Sequence, residues 1–193
     1  MAALLLGAAF AILPIHGEAA IYDSVIRLHV LANSDSEKDQ AQKLLVRDAV
    51  LVKARELLEG VSSRDEAESI LRESLPAIEA VAEETLLAAG SEREVSATLG
   101  YESYPTREYE SMAFPAGEYL SLRVMIGEAE GQNWWCVLFP PLCLSAATDA
   151  RENQAVCLSA GLTDEQYRLI TDNESPKYKL RFKLLELAES LFG

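Results

Sequence analysis

The hydrophobic pattern of this chain changes its period twice, and this limits the folds open to it. Residues 26–31 alternate apolar and polar side chains, which is typical of a β-strand with one buried face. Residues 37–89 then space their apolar side chains as helices do, and residues 95–139 return to alternation. With a final amphipathic helix expected from about Lys177, this order favours one α+β domain over residues 20–193, a short antiparallel sheet packed against helices.

Turn and capping signals divide the helical region in two. The first helix is predicted over 37–58, with Ser36 as its N-cap and Gly60 as its stop. The second is predicted over 64–89, and Pro76 should kink or split it because proline lacks the backbone donor that a helix interior needs. The buried stripe of the first helix is expected to consist of Ala41, Leu44, Leu45, Ala49 and Val52.

Three strands are predicted in the second alternating region, over 95–101, 119–126 and 134–139. A loop containing two prolines joins the first strand to the second. Gly127 and Gly131 bracket a hairpin turn between the second and the third. The pattern from residue 145 to residue 159 is weak, and a short helix is predicted after Thr163, which forms a capping pair with Gln166.

The N-terminus begins with an uncharged apolar run over residues 1–15. About 20 apolar residues are needed to span a bilayer, so the run is short for a membrane helix and suits the core of a signal peptide. Gly17 and Ala19 are small residues of the kind that signal peptidase reads, with cleavage before Ala20. Residues 1–19 are therefore predicted to be a signal peptide or membrane anchor. Since no basic residue precedes the run, a weak uncleaved anchor or a buried helix stays open.

The charge balance is strongly acidic. The chain has 31 Asp and Glu against 17 Lys and Arg, a formal net charge of −14. Such a surface repels phosphate backbones and anionic headgroups, which argues against nucleic-acid binding and against a polybasic membrane patch. Cationic partners stay open, as does the simpler reading that the excess charge only keeps the protein soluble.

No common catalytic motif is found in the sequence. Zinc-protease, nucleophile-elbow, phosphate-loop and dinucleotide-binding patterns are all missing, so we predict no enzyme activity, no cofactor and no metal site. His29 stands on a predicted strand and is expected to be a partly buried histidine with its hydrogen bonds satisfied. Alternating polar residues from Asn33 resemble the start of a calcium loop, but Lys38 and Leu44 occupy the positions that need glycine and a carboxylate. Helix capping is the better explanation.

The chain contains three cysteines. Cys136 and Cys143 flank a run with two prolines, and they can form a disulfide if the turn brings their Cα atoms within about 7 Å. We predict this bridge, with Cys157 free. In a reducing compartment all three would instead be small buried thiols.

Two segments resemble the signatures of the stage II sporulation protein R family. The first extends over residues 27–50 and contains RLHVLANSDS and VRDAV. The second extends over residues 115–143 and ends in NWWCVLFPPLC, a run of high specificity. The resemblance covers residues 26–143, and RFKLLEL at residues 181–187 also fits.

This resemblance implies a forespore-to-mother-cell signal of endospore-forming bacteria rather than an enzyme. Members of the family are exported into the space between the two membranes, secreted or anchored by the N-terminal segment. There they activate the membrane-embedded aspartic-type protease that processes the sigma-E precursor. Two alternatives stay open: a cysteine-dependent envelope enzyme and a structural envelope domain.

The signature residues supply the candidate contacts with that protease. They are Asn33, Asp35, Asp39, Gln40, Lys43, Arg47, Asp48, Trp134, Trp135, Pro140 and Pro141. Each also has a structural interpretation. The polar residues can cap a helix or form ion pairs, as Asp39 and Lys43 would at i,i+4 spacing, and the aromatic residues can belong to the core.

Overall fold

A computed structural model describes residues 21–109, 112–143 and 150–171. Within these ranges the chain forms five helices and six strands. The helices are α1 (Glu37–Leu57), α2 (Arg64–Glu73), α3 (Leu75–Ala88), α4 (Ala150–Ser159) and α5 (Asp164–Thr171). The strands are β1 (Ile26–Leu31), β2 (Val95–Tyr104), β3 (Arg107–Tyr109), β4 (Met112–Phe114), β5 (Gly117–Ile126) and β6 (Asn133–Phe139).

Two predicted segments lie outside the described residues: the export segment over residues 1–19 and the helix from about Lys177. In the described part of the chain, no helix combines the length and the apolar character that a membrane crossing requires.

The main sheet has the strand order β2-β5-β1-β6. β1 is antiparallel to β6 and β2 is antiparallel to β5, but β1 and β5 are parallel. The α+β class is confirmed, and the prediction of an antiparallel sheet is wrong for this central pair. Parallel neighbours need a long connection, and here the three helices and β2 bring the chain back so that β5 runs beside β1 in the same direction.

One face of the sheet, which we call the helix-covered face, packs against the three N-terminal helices. Ile26, Leu28 and Val30 of β1 are all completely buried there, as their alternation predicts. Residues of β5 and of helices α1 and α3 complete this core, among them Leu122 and Ile78. Burial of these aliphatic side chains is the main contribution that fixes the helices on the sheet.

Helix α1 buries a different stripe from the one predicted. The apolar residues that it buries are Val46, Val50, Leu51 and Ala54. Ala41, Leu44, Leu45 and Val52 are exposed and Ala49 is only partly buried, so that prediction is wrong. The helix has apolar side chains on two faces. Its orientation is set by Asp39 and Lys43, which are buried because they bind residues of other elements.

The second helical stretch is split at Pro76, as predicted. Helix α2 ends at Glu73 and α3 begins at Leu75, which places the proline in the first turn where its missing donor costs nothing. The hydroxyl of Ser63 accepts a hydrogen bond from the backbone N–H of Glu66 and so caps α2.

The opposite face of the sheet is covered by the β3–β4 hairpin and by α4 and α5. The hairpin lies in the segment that was predicted to be a loop, and α4 lies where the sequence pattern is weak. Aromatic and aliphatic residues from all these elements, including Tyr119 and Ile170, form a second buried cluster. At the start of α5, Thr163 and Gln166 exchange hydrogen bonds as a capping box, which confirms that prediction.

Candidate partner-binding site

A buried carboxylate organises the connection between β1 and α1. The side chain of Asp39 is 3% exposed and accepts hydrogen bonds from Ser34 Oγ at 2.6 Å and from Asn33 Nδ2 at 2.8 Å. The guanidinium of Arg93 lies 2.9 Å from the other carboxylate oxygen. Hydrogen bonds from Ser34 and Asn33, together with the charge of Arg93, outweigh burial and lower the pKa of Asp39.

The same connection binds the turn between β5 and β6. Asp35 Oδ1 accepts a hydrogen bond from the backbone N–H of Gln132 at 2.7 Å. The ammonium of Lys43 donates to the Gln132 carbonyl at 2.9 Å and to the side chain of Gln40 at 2.6 Å. Burial lowers the pKa of Lys43, and the charge of Asp35 partly offsets this effect. These polar residues therefore hold two segments that lie about 90 positions apart in sequence.

Two glycines make this contact possible. Gly127 has a φ of +55°, and a Cβ there would clash with Oδ1 of Asn33. A Cβ at Gly131 would clash with the carbonyl oxygen of Ser34. That oxygen belongs to the backbone and cannot rotate away. Glycine is therefore required at position 131 because the backbone of Ser34 comes so close, and not because of an unusual φ angle.

Trp134 is the most accessible aromatic side chain among the predicted contacts. It is 37% exposed, and its ring lies 4.4 Å from the guanidinium carbon of Arg47 on α1. Arg47 also forms an ion pair with the exposed Asp48 at 2.7 Å. A cation stacked on an aromatic ring is held in place, and it presents an ordered polar and aromatic surface to solvent.

The end of β6 contains the predicted disulfide. Cys136 and Cys143 are bonded, with their Cα atoms 5.6 Å apart, which confirms the predicted pairing. Of the two prolines between them, Pro140 is buried and Pro141 is exposed. Cys157 is free and completely buried, and burial raises the pKa of its thiol to about 12.

Trp135 lies on the opposite side of the sheet from Trp134, because successive residues of a strand point to opposite faces. Its ring centroid is 5.5 Å from that of His29, and the guanidinium of Arg107 stacks on it at 3.6 Å. His29 Nδ1 lies 3.2 Å from Glu102 Oε1, and Arg123 reaches the same oxygen at 3.6 Å. Sequence analysis placed only His29 and Trp135 among the residues of interest here.

Burial raises the pKa of Glu102, but hydrogen bonds from His29 and Ser121 and the nearby charge of Arg123 outweigh it, so the pKa is lowered. The carboxylate therefore stays ionised at neutral pH beside the guanidinium of Arg123.

Arg27 lies beneath this group and is completely buried. Four aromatic rings, those of Tyr104, Tyr109, Phe114 and Tyr119, lie between 4.5 and 5.9 Å from its guanidinium carbon. The guanidinium donates to the Cys136 carbonyl and to the Tyr109 hydroxyl. Sequence analysis missed this arginine as a site residue. The available signal was that Arg27 and His29 alternate with apolar residues on a strand.

The comparisons with known proteins agree with the signatures. A family model described as Stage II sporulation protein R (spore_II_R) matches residues 22–149, which is more than half of the chain. The chain belongs to this family. The matched range contains all of the signature residues and the whole of the main sheet, and membership implies a role in sporulation.

One curated relative is stage II sporulation protein R of Bacillus subtilis (strain 168), which is 44% identical over 123 residues. The aligned part covers 64% of this chain and 55% of the relative, so the chain matches about half of that protein's length. No solved structure matches the chain significantly. The family is named for a sporulation role and not for an enzyme activity.

Across residues 21–109, 112–143 and 150–171, no three His, Cys, Asp or Glu side chains come together as a group that could hold a metal ion.

Proposed function

We propose that this protein is the exported forespore signal that activates the membrane-embedded aspartic-type protease of the mother cell, which processes the sigma-E precursor. The observation that carries the proposal is the family match over residues 22–149, supported by 44% identity to stage II sporulation protein R of Bacillus subtilis. Residues 1–19 would direct export into the space between the two membranes, as a cleaved signal peptide or as an anchor.

A signal of this kind acts by binding the active state of the protease more tightly than the inactive state. Moving an equilibrium from 1:99 to 99:1 takes about 5.5 kcal/mol of differential binding. A few well-placed aromatic and charged contacts supply energy on that scale, since single anchor residues contribute about 2–4 kcal/mol.

The exposed part of the signature is the group formed by Trp134, Arg47 and Asp48, with Asp35 nearby in the connection to α1 and Pro141 beyond the end of β6. Trp134 is 37% exposed on its stacked arginine, and Asp35 and Asp48 are exposed. By contrast, Asp39 and Lys43 are buried in contacts within the domain. We therefore assign the protease contact to the exposed group and a supporting role to the buried pair.

The cysteine-dependent enzyme is the competing hypothesis, and the thiols argue against it. A nucleophilic cysteine must reach its thiolate form near neutral pH. Cys136 is bonded to Cys143, and the buried Cys157 has its pKa raised to about 12.

The test is a deletion in the native host followed by complementation, with a blot for the sigma-E precursor. Deletion should leave the precursor unprocessed. Trp134→Ala should reduce processing in a graded way. Higher expression should partly restore it, because the loss of one contact weakens the affinity for the protease and a higher concentration of the signal compensates. Tyr101→Ala is the matched control, since Tyr101 is also an exposed ring beside an arginine, Arg64, but lies outside the signatures.

Two results would contradict the proposal. Normal processing in the deletion strain would favour the alternative that the protein is a structural domain of the envelope. Complete loss of activity from Cys157→Ser at every dose, with normal folding, would indicate catalysis.

A further inference from the structure

Four buried polar nitrogens without hydrogen-bond partners lie together on the sheet face opposite α1. They are Nη1 of Arg27, Nε2 of His29, Nε of Arg107 and Nε of Arg123, each buried and without a hydrogen-bond partner among the described residues. A buried polar group left without a partner costs about 1–3 kcal/mol, so a group of four is unusual in a folded protein. We call the surface formed by these four residues with Glu102 and Trp135 the basic face.

The charge of the basic face opposes that of the whole protein. Among the described residues, it contains three guanidinium groups and a single carboxylate, that of Glu102, which pairs with Arg123 at 3.6 Å. Arg27 contacts aromatic rings, a carbonyl and a hydroxyl, and it forms no ion pair within the described residues. The chain as a whole has a net charge of −14. A local excess of cationic groups on an acidic protein is the complement of an anionic ligand.

Part of the basic face is accessible to solvent. The side chain of Arg123 is 41% exposed and that of Glu102 is 23% exposed. Arg107 is half-buried and lies on the indole ring of Trp135, which orients its guanidinium. The two arginines are linked through His29, since Trp135 contacts that histidine and Glu102 binds both it and Arg123.

We propose that the basic face binds carboxylates of an acidic segment in a partner protein. Arg107 and Arg123 would hold the carboxylates as planar, multiple-donor groups, the geometry that arginine favours for this ligand. Glu102 pairs with Arg123 within the domain, so the ligand competes with Glu102 for that arginine. The inference goes beyond the proposed function and does not rest on it, because the basic face lies across the sheet from Trp134.

The test uses the full chain and a capped tetraglutamate peptide, followed by nitrogen-15 NMR of the arginine Nε–H and tryptophan indole groups. The expected result is a saturable shift of the Arg107, Arg123 and Trp135 signals, with no shift from a capped tetraserine peptide. Arg123→Gln should weaken binding about tenfold, because a hydrogen bond to a charged group is lost.

Glu102→Gln should have the opposite effect and tighten binding several-fold, since it removes the internal competitor. A purely structural role of the basic face does not predict that gain. Arg55→Gln is the matched control, because Arg55 is exposed on α1 and the change in net charge is identical. The affinity of Arg55→Gln for the tetraglutamate peptide should stay within about twofold of that of the original chain.

Three results would overturn the proposal: no saturable shift, an equal loss of binding in Arg55→Gln and Arg123→Gln, or weaker binding in Glu102→Gln with its fold intact. Thermal unfolding of each variant verifies the fold. Arg123→Gln keeps the test valid if Glu102→Gln fails to fold, because the side chain of Arg123 is 41% exposed.

Discussion

Replacing Asp39 with asparagine separates the structural role of the signature from a contact role. The substitution keeps the size of the side chain and removes its charge. In the folded protein the carboxylate accepts hydrogen bonds from Ser34 and Asn33 and pairs with Arg93, all within 2.9 Å. An asparagine has one acceptor oxygen and presents an NH₂ group to one of these donors.

The expected loss follows from these contacts. Hydrogen bonds to a charged group contribute about 1.5–3 kcal/mol each, and at least one becomes unfavourable in the variant. The ion pair with Arg93 adds less, because the arginine side chain is 34% exposed and is screened by solvent. We expect Asp39→Asn to lower the free energy of unfolding by about 3 kcal/mol near neutral pH.

The pH dependence has a definite sign. The folded protein lowers the pKa of Asp39 below its ordinary value of 3.8, so the carboxylate contributes stability above that value and loses it as the pH falls through the folded pKa. The stability difference between the original chain and Asp39→Asn should therefore be full at about pH 7 and should shrink below about pH 4.

Urea unfolding at several pH values, followed by circular dichroism, measures both quantities. Asp48→Asn is the matched control on the same helix: its carboxylate is 59% exposed and should contribute less than about 1 kcal/mol. Equal losses in the two variants, or a difference for Asp39→Asn that does not change with pH, would refute the assignment of a buried, ionised Asp39.

Two further predictions concern the connections of β6. Gly131→Ala should lower the free energy of unfolding by about 1–3 kcal/mol because its Cβ meets the Ser34 carbonyl, whereas Gly100→Ala, with nothing within 4 Å of the added Cβ, should change it little; equal effects in urea unfolding would contradict this. Replacing Cys136 and Cys143 with alanine should cost about 2.5 kcal/mol, and reductant should destabilise only the original chain; stability that reductant leaves unchanged would contradict the bridge.

The helix starts could be predicted from sequence because capping is local. Ser36, Ser63 and Thr163 each bind a backbone N–H three residues ahead, as the sequence predicts. Such contacts depend on a few neighbouring side chains and on no other part of the chain. The split of the second helical stretch at Pro76 is local for the same reason.

The orientation of α1 could not be predicted, because it depends on distant partners. Lys43 binds the carbonyl of Gln132, 89 positions away, and that contact turns the polar side of the first helical turns inward. The apolar side chains of Leu44, Leu45 and Val52 are then left exposed. Hydrophobic periodicity identifies an apolar face, but it cannot choose between two such faces on one helix.

The basic face was missed for a related reason. His29 and its partner Glu102 are 73 positions apart, and Arg107 comes from a hairpin in a segment predicted to be a loop. Polar residues on an alternating strand normally face solvent, so the sequence pattern did not indicate that Arg27 is buried. Arg27 is buried because the β3–β4 hairpin packs over this part of the sheet.

The two adjacent tryptophans connect these surfaces. Trp134 lies on the helix-covered side with Arg47, and Trp135 lies on the basic face with Arg107. Because strand alternation separates neighbouring side chains, a single short signature contributes one ring to each surface of the sheet. The residue that follows, Cys136, lies on the same side as Trp134 and ties the strand to Cys143 through its disulfide. Under the two proposals, a partner bound at Trp134 would leave the basic face free for a second, acidic partner.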